Sequence, residues 1–564
     1  LNICSKIYSF VLNKRISNWV DEHGLIGEEQ AGFREGYSTT DHIFTLYAMV
    51  QKQLIRHRKL YVAFIDFKKA FDSVSRCKLW VILNKNGING KMLQALKSMY
   101  EVVRAKVRVG GDFTDSFLCP IGLKQGEINS PIIFSLFINE LTKDILSDGR
   151  HGIQLSPDFI QLLIILFADD VALLSDSVIG LQTQLNILYN TAKRLDLIVN
   201  MEKSNIIVFR NGGHLAANEK WLYGNECLKV VNVYKYLGIY FSTRISFTAT
   251  FEDLASRARK GVVAIIRTLW SIGEHSPSIF FKLFDSQIQP ILIYGAEIWG
   301  LSPNQETIER VHVFALKRFL GAHSKTPRHL VYGETGRFPL SVLTNVKCVK
   351  FWLRLLRLDD VRISKKAYKM LVHLQEQNYV TWACGVRNVL YMYGFGFVWE
   401  AQGVGDVRAF IHCFKERLID CAKQNWHSSL LSHDFYVTYT TYKQSVDLCS
   451  YLLYVKNFFV RRSFVRLRIG MSDLNCRFLQ FNPISDDKKM CPFCRTVFET
   501  EFHFILVCPK YQTLREESLP TKFHRQPTLF KFVLLMSSVS ERVIIKLSTY
   551  VFKAFVLRME QLKV

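Results

Sequence analysis

Three aspartates end or interrupt apolar runs in the 564-residue sequence: Asp66 in YVAFIDF, and Asp169 and Asp170 in LFADDVALL. A carboxylate at the end of an apolar strand is costly unless something pairs with it. Two adjacent carboxylates on one turn, near a third from a neighbouring strand, repel one another at neutral pH, and divalent cations relieve that repulsion. Hard oxygen ligands suit Mg²⁺, and two such ions about 3.5–4 Å apart are a device for in-line phosphoryl and nucleotidyl transfer. Aspartate is also common in hairpin turns, so the pair taken alone reads as turn chemistry and its company must decide. A second constellation stands far downstream, where Cys491, Cys494, His503 and Cys508 follow the pattern C-x2-C-x8-H-x4-C. Three thiolates and an imidazole at such short spacings can close a tetrahedron around one structural Zn²⁺. The other ten of the 13 cysteines have no such spacing and read as small core or surface residues.

The elements that position these residues follow from periodicity. Ile3, Ile7, Phe10, Val11 and Ile16 recur at helical spacing, so a basic helix opens the chain. Gln30 to Thr40 reads as a loop, and a helix is expected from Thr40 or Asp41. Tyr61 to Phe67 predicts a strand, with helical spacing taking over from Lys68 to Leu83. Residues 102–117 alternate around Gly110 and Gly111, a hairpin whose polar face carries Arg104, Lys106 and Arg108. Ser130 followed by Pro131 predicts a helix start, with Ser135, Asn139 and Lys143 on one polar stripe. Leu162 to Leu174 reads as two short strands joined through Ala168, Asp169 and Asp170. A helix from Leu181 to Leu195, a strand from Ile206 to Phe209 and strands between Val230 and Phe241 complete the mixed first half, after which the pattern turns helical. Within that part, Ala255 to Trp270 sets Arg257, Arg259, Lys260 and Arg267 beside Val262, Val263, Ile265 and Ile266, an amphipathic basic helix. Arg461, Arg462, Arg466 and Arg468, among Phe464, Val465 and Leu467, read as a further nucleic-acid grip. The fold class expected is α+β followed by helical modules.

Composition bounds the partners. With 49% apolar and 13% aromatic residues the chain has material for a large core. Its 73 Lys and Arg against 49 Asp and Glu leave a net charge of +24, for which nucleic acid is the leading partner and a membrane surface the second. The longest apolar run, about Leu162 to Phe167, is too short to span a bilayer, so an integral membrane protein is not expected. An odd cysteine count with no secretory leader suits an intracellular, reducing compartment. The opening at Leu1, already in a helical pattern, suggests a piece of a longer reading frame.

The order of these blocks resembles the reverse transcriptases of non-long-terminal-repeat (LINE-type) retrotransposons. YVAFIDFKKAFDSV at 61–74 resembles that family's motif A, IGLKQGEINSPIIFSLFIN at 121–139 its motif B, and LFADDVALL at 166–174 its motif C. NMEKS at 200–204 is similar to motif D and YKYLGI at 234–239 to the primer-gripping motif E, while QAGFREGYSTTDHI from Gln30 resembles its fingers segment. The resemblance covers at least residues 1–330.

It implies a right-hand polymerase: partial fingers at 1–60, a palm with an antiparallel sheet and a fingers insertion at 61–245, and a helical thumb at 246–335. A helical connector at 336–480, a CCHC zinc knuckle at 481–515 and a helical tail at 516–564 would follow. Asp66, Asp169 and Asp170 would bind two Mg²⁺ (or Mn²⁺), and Lys203 would neutralise or protonate the leaving group. Phe71 would hold a ring against a ribose 2′ hydroxyl and so select deoxynucleotides. Gln125 and Gly126 would contact nucleotide and template, glycine allowing close backbone approach. Glu127, Ile128 and Asn129 fall where the family varies, and little is expected of them. Arg257, Arg259 and Lys260 would track a nucleic-acid backbone from the thumb. The implied activity is RNA-directed DNA synthesis from a primer 3′ hydroxyl at a nicked target. Its partners would be template RNA, a DNA primer and deoxynucleoside triphosphates, with no membrane, and with endonuclease activity from an upstream domain. The implied setting is a cytoplasmic ribonucleoprotein and then the nucleus during integration. Two readings compete: a remnant that only binds RNA or DNA, and an RNA-dependent RNA polymerase.

Overall fold

Leu60–Ile65 (β1) is buried along its whole length, as an apolar run must be when both faces of its sheet are covered. The computed structural model describes residues 3–148, 151–155, 161–432, 436–478 and 486–562. Residues 481–485, at the start of the expected knuckle segment, lie outside them, as do 1–2 and 563–564 at the chain ends. β1 is the central strand of a five-stranded sheet. On one side lie Asp170–Ser175 (β3) and then Ile164–Phe167 (β2); on the other lie Asn205–Phe209 (β4) and then Lys229–Val230 (β5). All neighbours are antiparallel except β4 and β5.

Alternation along the strands sorts their side chains between two cores. Tyr61, Ala63 and Ile65, with Val171, Leu173, Ile206 and Val208, join one cluster with Phe134, Phe137 and Leu141 of Ser130–Asp148 (α4) and Leu181, Leu185 and Leu188 of Val178–Leu195 (α5). On the other face Phe64 stacks on Tyr234 with ring centroids 4.4 Å apart, and Phe209 meets Phe241 edge-on. Those partners belong to the hairpin Val233–Tyr236 (β6) and Ile239–Ser242 (β7). Each large apolar side chain so buried contributes about 1.5–3 kcal/mol, which is what fixes the register and the positions of the strand ends.

Three details differ from the periodicity reading. The helix after β1 starts at Arg76 (α3, Arg76–Lys85), not Lys68. Lys69 sits at φ +50, which no helix start tolerates, and residues 71 and 74 instead bond a second segment, through Leu123 N–H to the Phe71 carbonyl and Gly122 N–H to that of Val74. The helix expected from Thr40 or Asp41 begins at Thr39 (α2, Thr39–Ile55) because Ser38 caps it in a reciprocal box with Asp41. The polar stripe of α4 faces inward: Ser135 and Asn139 are buried, Asn139 donating to the Leu25 carbonyl at 2.7 Å, and only Lys143 is exposed. Residues 132–139 of this helix are all buried, so Ser135 and Asn139 have no outer face to occupy, and the exposed residues of the helix begin at Lys143.

The chain divides into two units. The first comprises Leu1–Thr250, Glu297–Leu301 and Cys348–Val404. In it the helix Ile363–Glu376, drawn from sequence within a connector, packs along α2. Arg354 clamps Asp41 there through two hydrogen bonds of 3.0 and 2.8 Å. The second comprises Phe251–Ala296, Ser302–Lys347 and Gly405–Val564 and is helical, with Phe458–Arg468 packed on Glu541–Leu562. Among the described residues no helix is long and apolar enough to cross a membrane.

Candidate active site

Register brings the acidic residues to one end of the sheet. Ile65 of β1 pairs with Val171 of β3, so one step further along lie Asp66 on one strand and Asp170 on its neighbour. Asp169 follows from the turn that joins β2 to β3, closed by the pair Phe167–Asp170. Burial first, then the charge of Asp66, raises the Asp169 carboxyl. Asp170 opens to solvent from a recess whose protein walls, followed by the charges of Asp169 and Asp66, push it up to about 6. The mutual repulsion expected from sequence is therefore present, and a cation at this end of the sheet would relieve it. Among the described residues, the group whose ligand atoms close around one point is a Cys/His set and not these carboxylates.

A segment from 198 to 204 fastens Asp66. Lys68 N–H donates to the Ile198 carbonyl at 2.7 Å, and Asn200 N–H donates to the Asp66 carbonyl at 2.7 Å. The Asp66 N–H donates to Ser204 Oγ at 3.0 Å, and Asn200 Nδ2 donates to Asp66 Oδ2 at 3.0 Å. Lys203 Nζ lies 3.9 Å from the same oxygen with its side chain 70% exposed, free to swing toward an anion. Asn200 and Ser204 stand in the quoted NMEKS block, yet their residue types alone did not single them out.

Phe71 is half-buried, stacked on Phe134 of α4 with centroids 4.2 Å apart and edge-on to Phe33 at 6.0 Å. Its backbone carbonyl accepts the Leu123 N–H, which brings the 121–126 segment beside the Asp66 turn. A Cβ on Gly122 would lie 2.5 Å from the Asp72 carbonyl oxygen, so only glycine allows that approach. Gln125 Nε2 donates to Asp72 Oδ1 at 3.0 Å, and Gly126, at φ +81, faces open space. Glu127 and Asn129, of which little was expected, are buried, and Glu127 accepts a hydrogen bond from Ser9 Oγ.

The four residues of the C-x2-C-x8-H-x4-C pattern come together, their ligand atoms all within 4.8 Å of one another. Cys491 Sγ and Cys508 Sγ are 3.8 Å apart, and Cys494 Sγ and His503 Nε2 3.4 Å. A zinc tetrahedron with bonds of about 2.0–2.3 Å has edges of about 3.4–3.8 Å, so the donor set fits that ion. Burial holds the His503 imidazole below its ordinary value, neutral as a ligand must be.

The basic residues divide. Arg257, Arg259 and Lys260 are exposed on Thr248–Ser271. Arg257 pairs with Asp253 at 3.5 Å, and Arg259 lies 4.3 Å over the Phe314 ring. The expected grip at 461–468 needs correction. Arg461 is 1% exposed and donates to the carbonyls of His275 and Phe319 at 2.6 and 3.4 Å. Arg468 is 5% exposed, with Nε on Glu334 Oε2 at 3.2 Å and Nη1 on the Met536 carbonyl at 2.6 Å. Both guanidiniums are buried against internal acceptors and cannot meet a phosphate. Arg462 and Arg466 are half-buried, Arg466 donating to the Gly321 carbonyl at 3.1 Å.

Residues 1–241 match the profile of the reverse transcriptase (RNA-dependent DNA polymerase) family. This stretch is similar to reverse transcriptase domains. It contains all three aspartates, Phe71, Gln125, Gly126 and Lys203. Relatives are the probable RNA-directed DNA polymerase from transposon X-element of Drosophila melanogaster, 24% identical over 53% of this chain and 32% of its own length, and a Pol polyprotein from the type-1 retrotransposable element R2 of Popillia japonica, 26% identical over 57% and 45%. The similarity is to polymerases of non-LTR retrotransposons, and the chain spans about a third of the X-element protein's length. The solved structure of telomerase from Candida albicans is similar over 65% of this chain and 58% of that one, at 12% identity and a TM-score of 0.31, too weak a likeness to bear on the fold.

Proposed function

We propose that the chain is an RNA-directed DNA polymerase of a LINE-type retrotransposon, adding deoxynucleotides to a primer 3′ hydroxyl on an RNA template. The observation that carries this reading is the strand register that sets Asp66 beside Asp170, with Asp169 on the adjoining turn, inside the stretch similar to reverse transcriptase domains. Asp66, Asp169 and Asp170 would hold two Mg²⁺ or Mn²⁺ ions, which when bound activate the 3′ hydroxyl and stabilise the pyrophosphate leaving group. The bond formed joins the primer 3′ oxygen to the α-phosphorus as the bond to pyrophosphate breaks. Lys203, exposed and 3.9 Å from Asp66, neutralises or protonates that leaving group. The Phe71 ring, held flat on Phe134, excludes a ribose 2′ hydroxyl. Gln125 and Gly126 line the nucleotide and template side.

In this reading residues 1–245 act as fingers and palm, and Arg257, Arg259 and Lys260 follow nucleic-acid phosphates from a thumb. The cluster of Cys491, Cys494, His503 and Cys508 holds one structural zinc in a knuckle. Template RNA, primer or target DNA and deoxynucleoside triphosphates are the partners.

Primer extension on poly-rA with Mg²⁺ tests the proposal. Wild-type chain should incorporate dTTP, and Asp169→Asn should lose at least about a hundredfold in rate while still binding primer–template. An unchanged rate in Asp169→Asn would remove that residue from the mechanism. Binding without incorporation by the wild type would decide for a nucleic-acid-binding remnant, and incorporation of UTP in preference to dTTP for an RNA polymerase.

A further inference from the structure

The turn that presents Asp169 begins at Ala168, whose φ is +60. Two-residue hairpin turns of the primed types need a positive φ at their first central position, and glycine is the residue that adopts it without strain. A side chain there is strained and persists only where the surroundings hold it.

What holds it is Gln30, distant in sequence and 0% exposed. Its amide mimics a peptide group and pairs with the backbone of Ala168 on both sides. The Ala168 N–H donates to Gln30 Oε1 at 3.1 Å, and Gln30 Nε2 donates to the Ala168 carbonyl at 3.4 Å. The same Oε1 accepts the Gly32 N–H at 2.9 Å, which fixes the amide's orientation. The segment carrying Gln30 is itself bound to the sheet edge. Leu166 N–H donates to the Glu29 carbonyl at 2.7 Å and Ala31 N–H to the Leu166 carbonyl at 3.0 Å. Gly32 closes the arrangement, since a Cβ there would lie 2.2 Å from the Ala168 nitrogen. An ordinary hairpin turn needs no buried side-chain amide inserted against it.

We infer that Gln30 is a positioning residue that sets the Ala168–Asp169 turn and thereby the direction in which Asp169 and Asp170 project. The inference rests on the polymerase reading above. Gln30 touches neither substrate nor reacting atoms, and its effect reaches them only through the backbone of Ala168. Support of this kind, one step removed from ligands, is typically worth about 10–100-fold in metal affinity or activity.

The test compares wild type, Gln30→Met, Ala168→Gly and the double variant, with Asp169→Asn as control, all in the full chain. Amide hydrogen exchange without metal or nucleic acid is the first readout. Gln30→Met should speed exchange in a peptide spanning 167–170 and leave one spanning 60–65 unchanged. Primer extension is the second. Gln30→Met should lower kcat about tenfold and raise the Mg²⁺ concentration for half-maximal rate several-fold, with the KM for dTTP shifted less than about twofold. Ala168→Gly, which relaxes the turn without the amide, should restore much of the loss in the double variant. Wild-type exchange at 167–170 together with a wild-type Mg²⁺ midpoint in Gln30→Met overturns the inference. So does a kcat loss with the Mg²⁺ midpoint unmoved. If Gln30→Met does not accumulate as folded protein, Gln30→Asn replaces it: its amide is one methylene short, the same shift is expected, and a wild-type midpoint is equally fatal. A full rate in Asp169→Asn would strike the polymerase reading itself, whereas an inactive Asp169→Asn beside an unaffected Gln30→Met would strike only the role of Gln30.

Discussion

Asn200 grips Asp66 from two directions: its side-chain amide donates to Asp66 Oδ2 at 3.0 Å, and its backbone N–H donates to the Asp66 carbonyl at 2.7 Å. The first bond orients the carboxylate and the second fixes the end of the strand. Asn200→Ala removes only the first. We expect a fall of about tenfold in the rate of single-nucleotide extension, equivalent to about 1.4 kcal/mol, with folding stability little changed because the backbone bond survives. Rapid-quench extension and urea denaturation on the same preparations would separate the two. An unaltered extension rate would mean that Lys203 alone suffices to orient Asp66.

Arg468 and Glu334 form a buried ion pair in which Tyr439 Oη and Tyr451 Oη also donate to the Glu334 carboxylate, at 2.9 and 2.7 Å. The Arg468 charge, the largest of the favourable influences on Glu334, holds its carboxyl below the ordinary range despite the opposing effect of burial. Removing one partner leaves an uncompensated buried charge, so Arg468→Met should cost about 3–5 kcal/mol. Adding Glu334→Gln should recover part of that loss. Chemical denaturation of both variants reads the effect. If Arg468→Met instead weakened nucleic-acid binding at constant stability, its assignment to the interior would be wrong.

The same arginines show where reading the sequence succeeds and where it stops. The strand and turn that carry Asp66, Asp169 and Asp170 were legible because apolar runs, a two-residue turn and acid side chains make an unusual combination. Arg461 and Arg468 were misread as phosphate contacts because charge alone suggested a surface. Their separation of seven residues, with Phe464 and Val465 between, puts them on the apolar face of a helix, a signal that was present and passed over. Gln30 opens the QAGFREGYSTTDHI block, but nothing in that block shows what its amide does, since its partner is the backbone of a residue 138 positions away. Glu127 was hidden for the same reason, its partner Ser9 lying on another helix.

The Cys491, Cys494, His503 and Cys508 cluster should carry about one zinc per chain, measurable by elemental analysis of chain purified without added metal. Arg515 braces it, donating to the carbonyls of Ile505 and Cys508 at 2.8 and 2.7 Å. Chelation, or Cys508→Ser, should release the metal and lower the unfolding temperature of the second unit, because metal affinity and folding are linked. Release of zinc with no thermal shift would mean that the ion binds without supporting the fold, and a chain that never holds zinc would defeat the assignment.

His42 provides a pH dependence of defined sign. Its ring is buried on α2, edge-on to Phe167 at 6.5 Å, and burial, ahead of any charge, lowers its pKa to about 4 from an ordinary value near 6.5. The folded chain therefore holds the neutral imidazole, while the unfolded chain takes up a proton as pH falls through about 6.5. Stability from this residue is complete above about 6.5, declines as the pH drops toward 4, and changes no further below that. The full loss is about 3 kcal/mol by linkage. Replacing the ring by an apolar side chain of similar bulk, His42→Leu, removes the titration. Urea midpoints of wild type and His42→Leu between pH 7 and 4 should diverge at neutral pH by only the packing difference and converge or cross as the wild type weakens. Parallel slopes for the two chains across that window would show that the ring accepts its proton without leaving the fold.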